Sequence, residues 1–172
     1  SDFPLKYLLP ILNSKLINFY VNEQSPKSNN KSYPSFNSRL LKNIPLMDCD
    51  LIKKNNFIEK ADQMLSLNKD LQEISAKFQR TCERKFENLN LNKKMQDWYN
   101  LSYADFIKEL SKQKIKLTLS EEAEWAEYFD QEKSKALEIQ SKIASTDREI
   151  DQMVYELYGL SEEDVRVIAL AK

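Results

Sequence analysis

From Asp50 onward the apolar side chains fall at alternating spacings of four and three. Phe57, Ala61, Met64, Asn68, Leu71, Ser75, Phe78, Cys82, Lys85 and Leu89 trace one such seam, the signature of a long helix packed along another helix. Asn68 and Ser75 place polar groups in that seam, which weakens it and can fix its register. A second seam runs Trp125, Phe129, Glu132, Ala136, Ile139, Ile143, Thr146, Ile150, Met153 and Leu157 without losing phase. The pattern predicts helices over 50–87, and over 120–158 from an N-cap at Ser120, each roughly 57 Å long at 1.5 Å per residue. Neither could bury its stripe alone, and matched lengths joined by a compact linker imply an antiparallel pair. The linker, 88–119, holds Trp98, Tyr99, Phe106, Ile107 and Leu110 and is too apolar to be disordered. Ser102 with Asp105 should cap a helix reaching about Gln113, and Lys112 to Leu119 reads as an extended connector. The predicted fold class is all-α: a long, coiled-coil-like antiparallel two-helix hairpin with a small helical cap.

The flanks differ in character. Leu5 to Tyr20 reads as one apolar helix, which Pro10 should kink or delay because it lacks an amide donor and clashes with the preceding turn. A polar loop, Asn22 to Ser32, follows. Tyr33-Pro-Ser-Phe36 could be a short extended segment, Ser38 to Asn43 a turn or two of helix, and Ile44-Pro-Leu46 an extended exit. At the other end Gly159 sits where a helix leaves through a left-handed residue. Ser161 and Asp164 then form a capping box for a short helix over 161–170. This divides the chain into 1–49 and a hairpin region, 50–172.

One glycine and five prolines in 172 residues favour long helices over a turn-rich β fold. The absence of histidine removes the commonest general base and metal ligand. Cys49 and Cys82 have no CxxC spacing, so neither a zinc site nor a disulfide framework is indicated. With no long apolar run and no leader-like segment, the expectation is a cytoplasmic protein with no membrane partner. The chain starts without methionine and reads as a piece of something larger. Its net charge of −1 hides an asymmetry: 1–118 carries 20 Lys and Arg against 13 Asp and Glu (+7), whereas 119–172 carries 6 against 14 (−8). A basic front suits a surface that meets phosphate. Mutual attraction of the two long helices explains the asymmetry equally well.

Three phrases carry a family resemblance. Tyr7-Leu-Leu-Pro-Ile-Leu-Asn-Ser-Lys-Leu-Ile-Asn-Phe-Tyr20 resembles a helix near the end of target recognition domains in TaqI-like N6-adenine DNA methyltransferases and combined (type IIG) restriction–modification enzymes. Pro10 stands where those proteins usually have a small residue. Tyr33-Pro-Ser-Phe-Asn-Ser-Arg-Leu-Leu-Lys-Asn-Ile-Pro-Leu46 resembles the phrase that follows it. Ile150-Asp-Gln-Met-Val-Tyr-Glu-Leu-Tyr-Gly-Leu-Ser-Glu-Glu-Asp-Val-Arg-Val-Ile168 resembles their closing segment. Specificity subunits of type I systems share the layout. The resemblance implies that 1–49 ends a target recognition domain and that 50–172 is a helical spacer. It implies double-stranded DNA and upstream methyltransferase or endonuclease domains as partners, with S-adenosylmethionine and Mg2+ as cofactors of the parent enzyme. The family's catalytic signatures are missing here: no Asn/Asp-Pro-Pro-Tyr/Phe tetrapeptide, no glycine-rich methyl-donor loop and no nuclease carboxylate pair. Glu132 and Lys133 have the composition of such a pair but sit mid-helix.

No residue earns a catalytic role. Lys27, Asn29, Asn30 and Lys31 form a polar, basic loop beside the recognition-type phrase. There Lys could meet backbone phosphate and Asn could read adenine, the alternative being a solvated loop. Lys15 and Arg39 would extend that patch, or be ordinary surface cations. Trp98, Tyr99, Trp125 and Phe129 could stack on bases, but their helical spacing favours core packing. Glu121, Glu122, Glu124, Glu127 and Asp130 suit a helix N-terminus better than a metal. Tyr155 and Tyr158 read as packing residues whose hydroxyls find a neighbour. The alternative to a DNA-recognition and spacer fragment is a coiled-coil interaction module without DNA contact.

Overall fold

The computed structural model describes residues 4–24, 42–87 and 89–170. Seven α-helices are assigned there: α1 (Leu5–Asn13), α2 (Lys15–Gln24), α3 (Leu51–Lys85), α4 (Lys93–Gln96), α5 (Tyr103–Lys112), α6 (Leu119–Tyr158) and α7 (Glu162–Leu170), with one 3-10 turn at Trp98–Asn100. No strand occurs among the described residues. The fold is all-α and dominated by α3 and α6, 35 and 40 residues long, which pair antiparallel as a hairpin. Phe57 shares a core with Ile150 and Val154, whereas Lys85 reaches Glu121 at 2.9 Å.

Every α6 seam position from Trp125 to Leu157 is buried or half-buried. On α3 the seam departs from the expected heptad at two places. Asn68 is exposed while Leu67 is half-buried, because the stripe steps from Met64 to Leu67 to Leu71. Lys85 is also exposed, and Phe86 buries in its stead as the helix ends and the backbone turns.

The chain forms two compact units, residues 1–64 with 145–172 and residues 65–144. In the first, α1 and α2 supply Tyr7, Ile11, Ile17 and Val21 to a core completed by Ile44, Phe57, Ile150 and Val154. Tyr7 meets Phe57 edge-on at 5.6 Å, and Ile168 of α7 is buried. The helix expected over 5–20 is two helices. Pro10 is accommodated inside α1, and the break falls at Ser14, whose backbone is extended (φ −66°, ψ 157°). The Ser14 hydroxyl donates to Ile11 O at 2.7 Å and accepts the Ile17 amide at 3.4 Å, so one buried side chain ends α1 and begins α2.

The second unit is built on aromatic rings. Phe78 lies on Trp98 with centroids 3.7 Å apart and planes 18° apart. Phe106 stacks on Phe129 at 5.2 Å, and Phe86 tilts against Trp125 at 4.9 Å. Cys82, Met95 and Leu110 close the same core. Rings of this size bury about 150–250 Å² each, which is how a short cap becomes a packed domain. Trp98, Trp125 and Phe129 are therefore core residues, and Tyr99 is half-buried beside them.

Helix ends follow the expected chemistry with one correction. Ser102 accepts the Asp105 amide at 3.1 Å to start α5. The Ser161–Asp164 box starts α7, with reciprocal bonds of 3.3 and 2.9 Å. Gly159 has φ +64°, and Leu160 donates to Tyr155 O at 3.0 Å, the six-to-one bond of a Schellman ending. The cap of α6 is Thr118, not Ser120. Thr118 Oγ1 accepts the Glu121 amide at 3.4 Å, while Glu121 Oε2 accepts the Thr118 amide at 3.0 Å. The T-x-x-E spacing completes a capping box that Ser120, followed three places on by Ala123, could not.

Candidate functional site

The described parts of the three phrases that carry the family resemblance lie in the first unit, and the contacts among them start with a carboxylate. Asp151 of α6 is 4% exposed. Its Oδ1 accepts the Lys15 amide at 2.8 Å, and its Oδ2 lies 3.0 Å from the Lys15 ammonium. The first amide of α2 has no partner within its own helix, so a charge borrowed from α6 caps α2 and pins it. The same carboxylate holds the Lys15 ammonium above its ordinary pKa, first through the direct bond and then through its charge.

Three tyrosines then fasten the segment 43–47. Tyr7 donates its hydroxyl to Met47 O at 2.7 Å, Tyr158 donates to Pro45 O at 2.7 Å, and Tyr20 donates to Asn43 O at 3.1 Å. The Cys49 thiol donates to the Tyr7 oxygen at 3.5 Å. Burial raises the phenols of Tyr7 and Tyr158 above their ordinary value, and Cys49 adds to the shift at Tyr7. Ile44, within this strap, is buried. The strap fixes how the chain enters α3, so phenols of the first and last phrases determine where the second phrase ends.

A groove beside α2 is lined by Lys15, Asn18, Phe19, Asn22 and Glu23, and closed by Ile168 and Ala169 of α7. Its polar wall offers amide groups, one carboxylate and one ammonium, and that ammonium already serves Asp151. Of the residues read from the sequence as DNA contacts, Lys15 occupies this place. Lys27, Asn29, Asn30, Lys31 and Arg39 lie outside the described residues. So does 33–41 of the second phrase.

In the second unit several ionisable groups serve structure. Glu121 is held down to about 2 by the Thr118 amide first, then by the Lys85 ammonium and the Thr118 hydroxyl. Glu132 is 4% exposed and pairs with Lys135 at 2.6 Å, while the Lys133 ammonium donates to Leu101 O. Burial pushes the Cys82 thiol up to about 12. Among the described residues no group of three or more His, Cys, Asp or Glu is placed to hold a metal ion. No described helix is long and apolar enough to cross a membrane.

A family described as "Domain of unknown function (DUF8810)" matches residues 50–154, more than half of the chain. The chain belongs to the DUF8810 family. The DUF8810 match takes in α3, the helical cap and α6 as far as Val154, so it contains the whole second unit and includes Asp151. Comparison with curated proteins and with solved structures finds no match for this DUF8810 chain.

Sequence reading did not single out Asp151 as a cap, because its partner is 136 positions away. It also passed over a basic face on the DUF8810 helix α3, formed by Lys77, Arg80 and Arg84. Their spacing of three and four was readable as one side of a helix.

Proposed function

We propose that this chain is a DNA-sequence-recognition and spacer fragment of a bacterial restriction–modification enzyme, non-catalytic by itself. The supporting observation is convergence. The two helices of the first phrase, the Ile44–Leu46 exit of the second and the closing phrase share one core and one strap, through Asp151 with Lys15 and through Tyr7, Tyr20 and Tyr158. Phrases scattered over the sequence thus act as one body, as expected if they descend together from the end of a recognition domain. The α3–α6 pair gives the spacer its length, about 53 and 60 Å at 1.5 Å per residue. In this reading methyl transfer or cleavage, with S-adenosylmethionine and Mg2+, belongs to upstream domains or a partner subunit.

A second reading has its own observation. Leu51 and Ile52 in the first turn of α3 are 73% and 75% exposed, with Leu46 and Met47 also exposed nearby. That apolar edge would suit a coiled-coil interaction module with no nucleic-acid role. Titration of the chain with duplex DNA at low and moderate salt, alongside sedimentation velocity, separates the two. DNA binding that weakens with salt supports the recognition-and-spacer reading. Absence of binding at low salt, with dimers in sedimentation, supports the interaction module instead.

A further inference from the structure

Within residues 65–144 the cations on the two long helices divide into two groups. Lys69 pairs with Glu73, Lys85 with Glu121, Lys135 with Glu132 and Lys142 with Glu138, and Lys133 bonds Leu101 O. Lys77, Arg80 and Arg84 have no carboxylate partner among the described residues. All three are exposed, and all line the same open depression on α3 together with Glu83. The one side-chain bond in this group is weak: Arg84 Nη2 donates to Thr81 Oγ1 at 3.5 Å. Positions 77, 80 and 84 fall on one side of the helix and span about 10 Å of its axis.

We propose that Lys77, Arg80 and Arg84 form a contact surface for the phosphate backbone of duplex DNA. The inference rests on the DNA reading above and locates part of its affinity on the spacer helix instead of on the recognition-type loop. Guanidinium forks match phosphate or carboxylate oxygens two at a time, and two of the three cations are arginines. One feature favours phosphate over an acidic protein surface. A protein partner would need apolar or aromatic anchors at the centre of its footprint, yet no large exposed hydrophobic residue lies on α3 between Lys69 and Lys85. A backbone contact needs only cations held in register, and a helix packed by Phe78, Cys82 and Phe86 on its opposite side holds them. The Glu83 carboxylate in the same depression opposes the binding, and that opposition gives the surface a second test.

Binding of the whole chain to a duplex of arbitrary sequence is measured by fluorescence anisotropy across a salt series, for wild type and three variants. The stripe variant carries Lys77→Gln, Arg80→Gln and Arg84→Gln. The control removes the same charge elsewhere in the unit, with Lys93→Gln, Lys94→Gln and Lys116→Gln. The third variant is Glu83→Gln. Each lost phosphate contact lowers the slope of log affinity against log salt by about 0.9. The stripe variant should therefore lose roughly two to three units of slope and at least about tenfold in affinity at moderate salt. The control should change affinity by less than about threefold, and Glu83→Gln should bind more tightly than wild type, an effect that misfolding cannot imitate. If wild type binds and the stripe variant keeps its affinity and slope, or the control falls equally, the assignment to α3 is overturned and the DNA reading stands. If wild type binds no DNA at low salt, both are overturned.

Discussion

Asp151 and Lys15 are 136 positions apart and share two contacts: the carboxylate accepts the Lys15 amide at 2.8 Å and pairs with its ammonium at 3.0 Å. A buried carboxylate with a charged and a backbone partner is costly to remove, because the helix amide it served is left unsatisfied. Asp151→Ala should destabilise the chain by about 2–3 kcal/mol in urea unfolding. Asp151→Asn retains one acceptor and should recover part of the loss. Lys15→Met should cost less than Asp151→Ala, since its side chain is 56% exposed and water screens the charge. The raised Lys15 pKa also sets a direction with pH. Its contribution is present below the ordinary lysine range and disappears as pH rises through the folded value, so the stability difference between wild type and Lys15→Met should narrow in strong alkali.

Among the described residues two hold left-handed backbone, Gly159 at φ +64° and Lys114 at φ +64°. A side chain at Gly159 would meet no neighbour within 4 Å, so its requirement is conformational. Gly159→Ala should cost about 1–2 kcal/mol through backbone strain alone. Lys114, which ends α5 with Ile115 donating to Leu110 O at 3.1 Å, carries the same strain with a side chain attached. Lys114→Gly should therefore stabilise the chain, by about 0.5 kcal/mol after the added freedom of the unfolded state is counted. Opposite signs in thermal unfolding are the check.

These two positions mark how far the sequence could be read. Gly159 and the Ser161–Asp164 and Ser102–Asp105 boxes were legible because each depends on neighbours within a few residues. The seams were legible because 3.5-residue periodicity survives along a long helix, and they failed only where α3 steps to Leu67 and where it ends at Phe86. The break at Ser14 was hidden behind the more conspicuous Pro10. Thr118 was passed over for Ser120, although the T-x-x-E pattern was present. Asp151, the tyrosine strap and the lack of a described carboxylate partner for Lys77, Arg80 and Arg84 depend on which distant side chains fold back, and local pattern carries no trace of that.

The α6 cap predicts a pH response. Glu121 titrates near about 2 because it accepts the Thr118 amide and pairs with Lys85. Its folded pKa is depressed, so its contribution is complete above the ordinary glutamate range and is lost as pH falls from there toward 2. In a side-chain NMR titration Glu121 should protonate at markedly lower pH than a solvated glutamate. Thr118→Ala should move it upward and destabilise the chain by about 1 kcal/mol. An unshifted Glu121 would show that the capping box does not form.

Cysteine chemistry tests the aromatic core. Cys82 is 1% exposed, with a thiol pushed up to about 12 by burial, and it packs with Phe78 and Phe86. In the folded chain it should resist alkylation at neutral pH for as long as global unfolding is slow, while the half-buried Cys49 labels first. Phe78→Ala, which removes the ring stacked on Trp98, should cost about 3–5 kcal/mol and make Cys82 label at a rate approaching that in urea. Mass spectrometry of timed quenches reads both sites.

Phosphate contact, assigned to the basic part of the chain, is the claim on which the functional account turns. Its most direct test is the affinity of the unmodified chain for duplex DNA as a function of salt. The account predicts measurable binding at about 50 mM salt, falling linearly on a log–log plot with a slope of roughly −3 or steeper, as release of counterions from three or more phosphates requires. Binding that ignores salt, or none at about 50 mM, would contradict it.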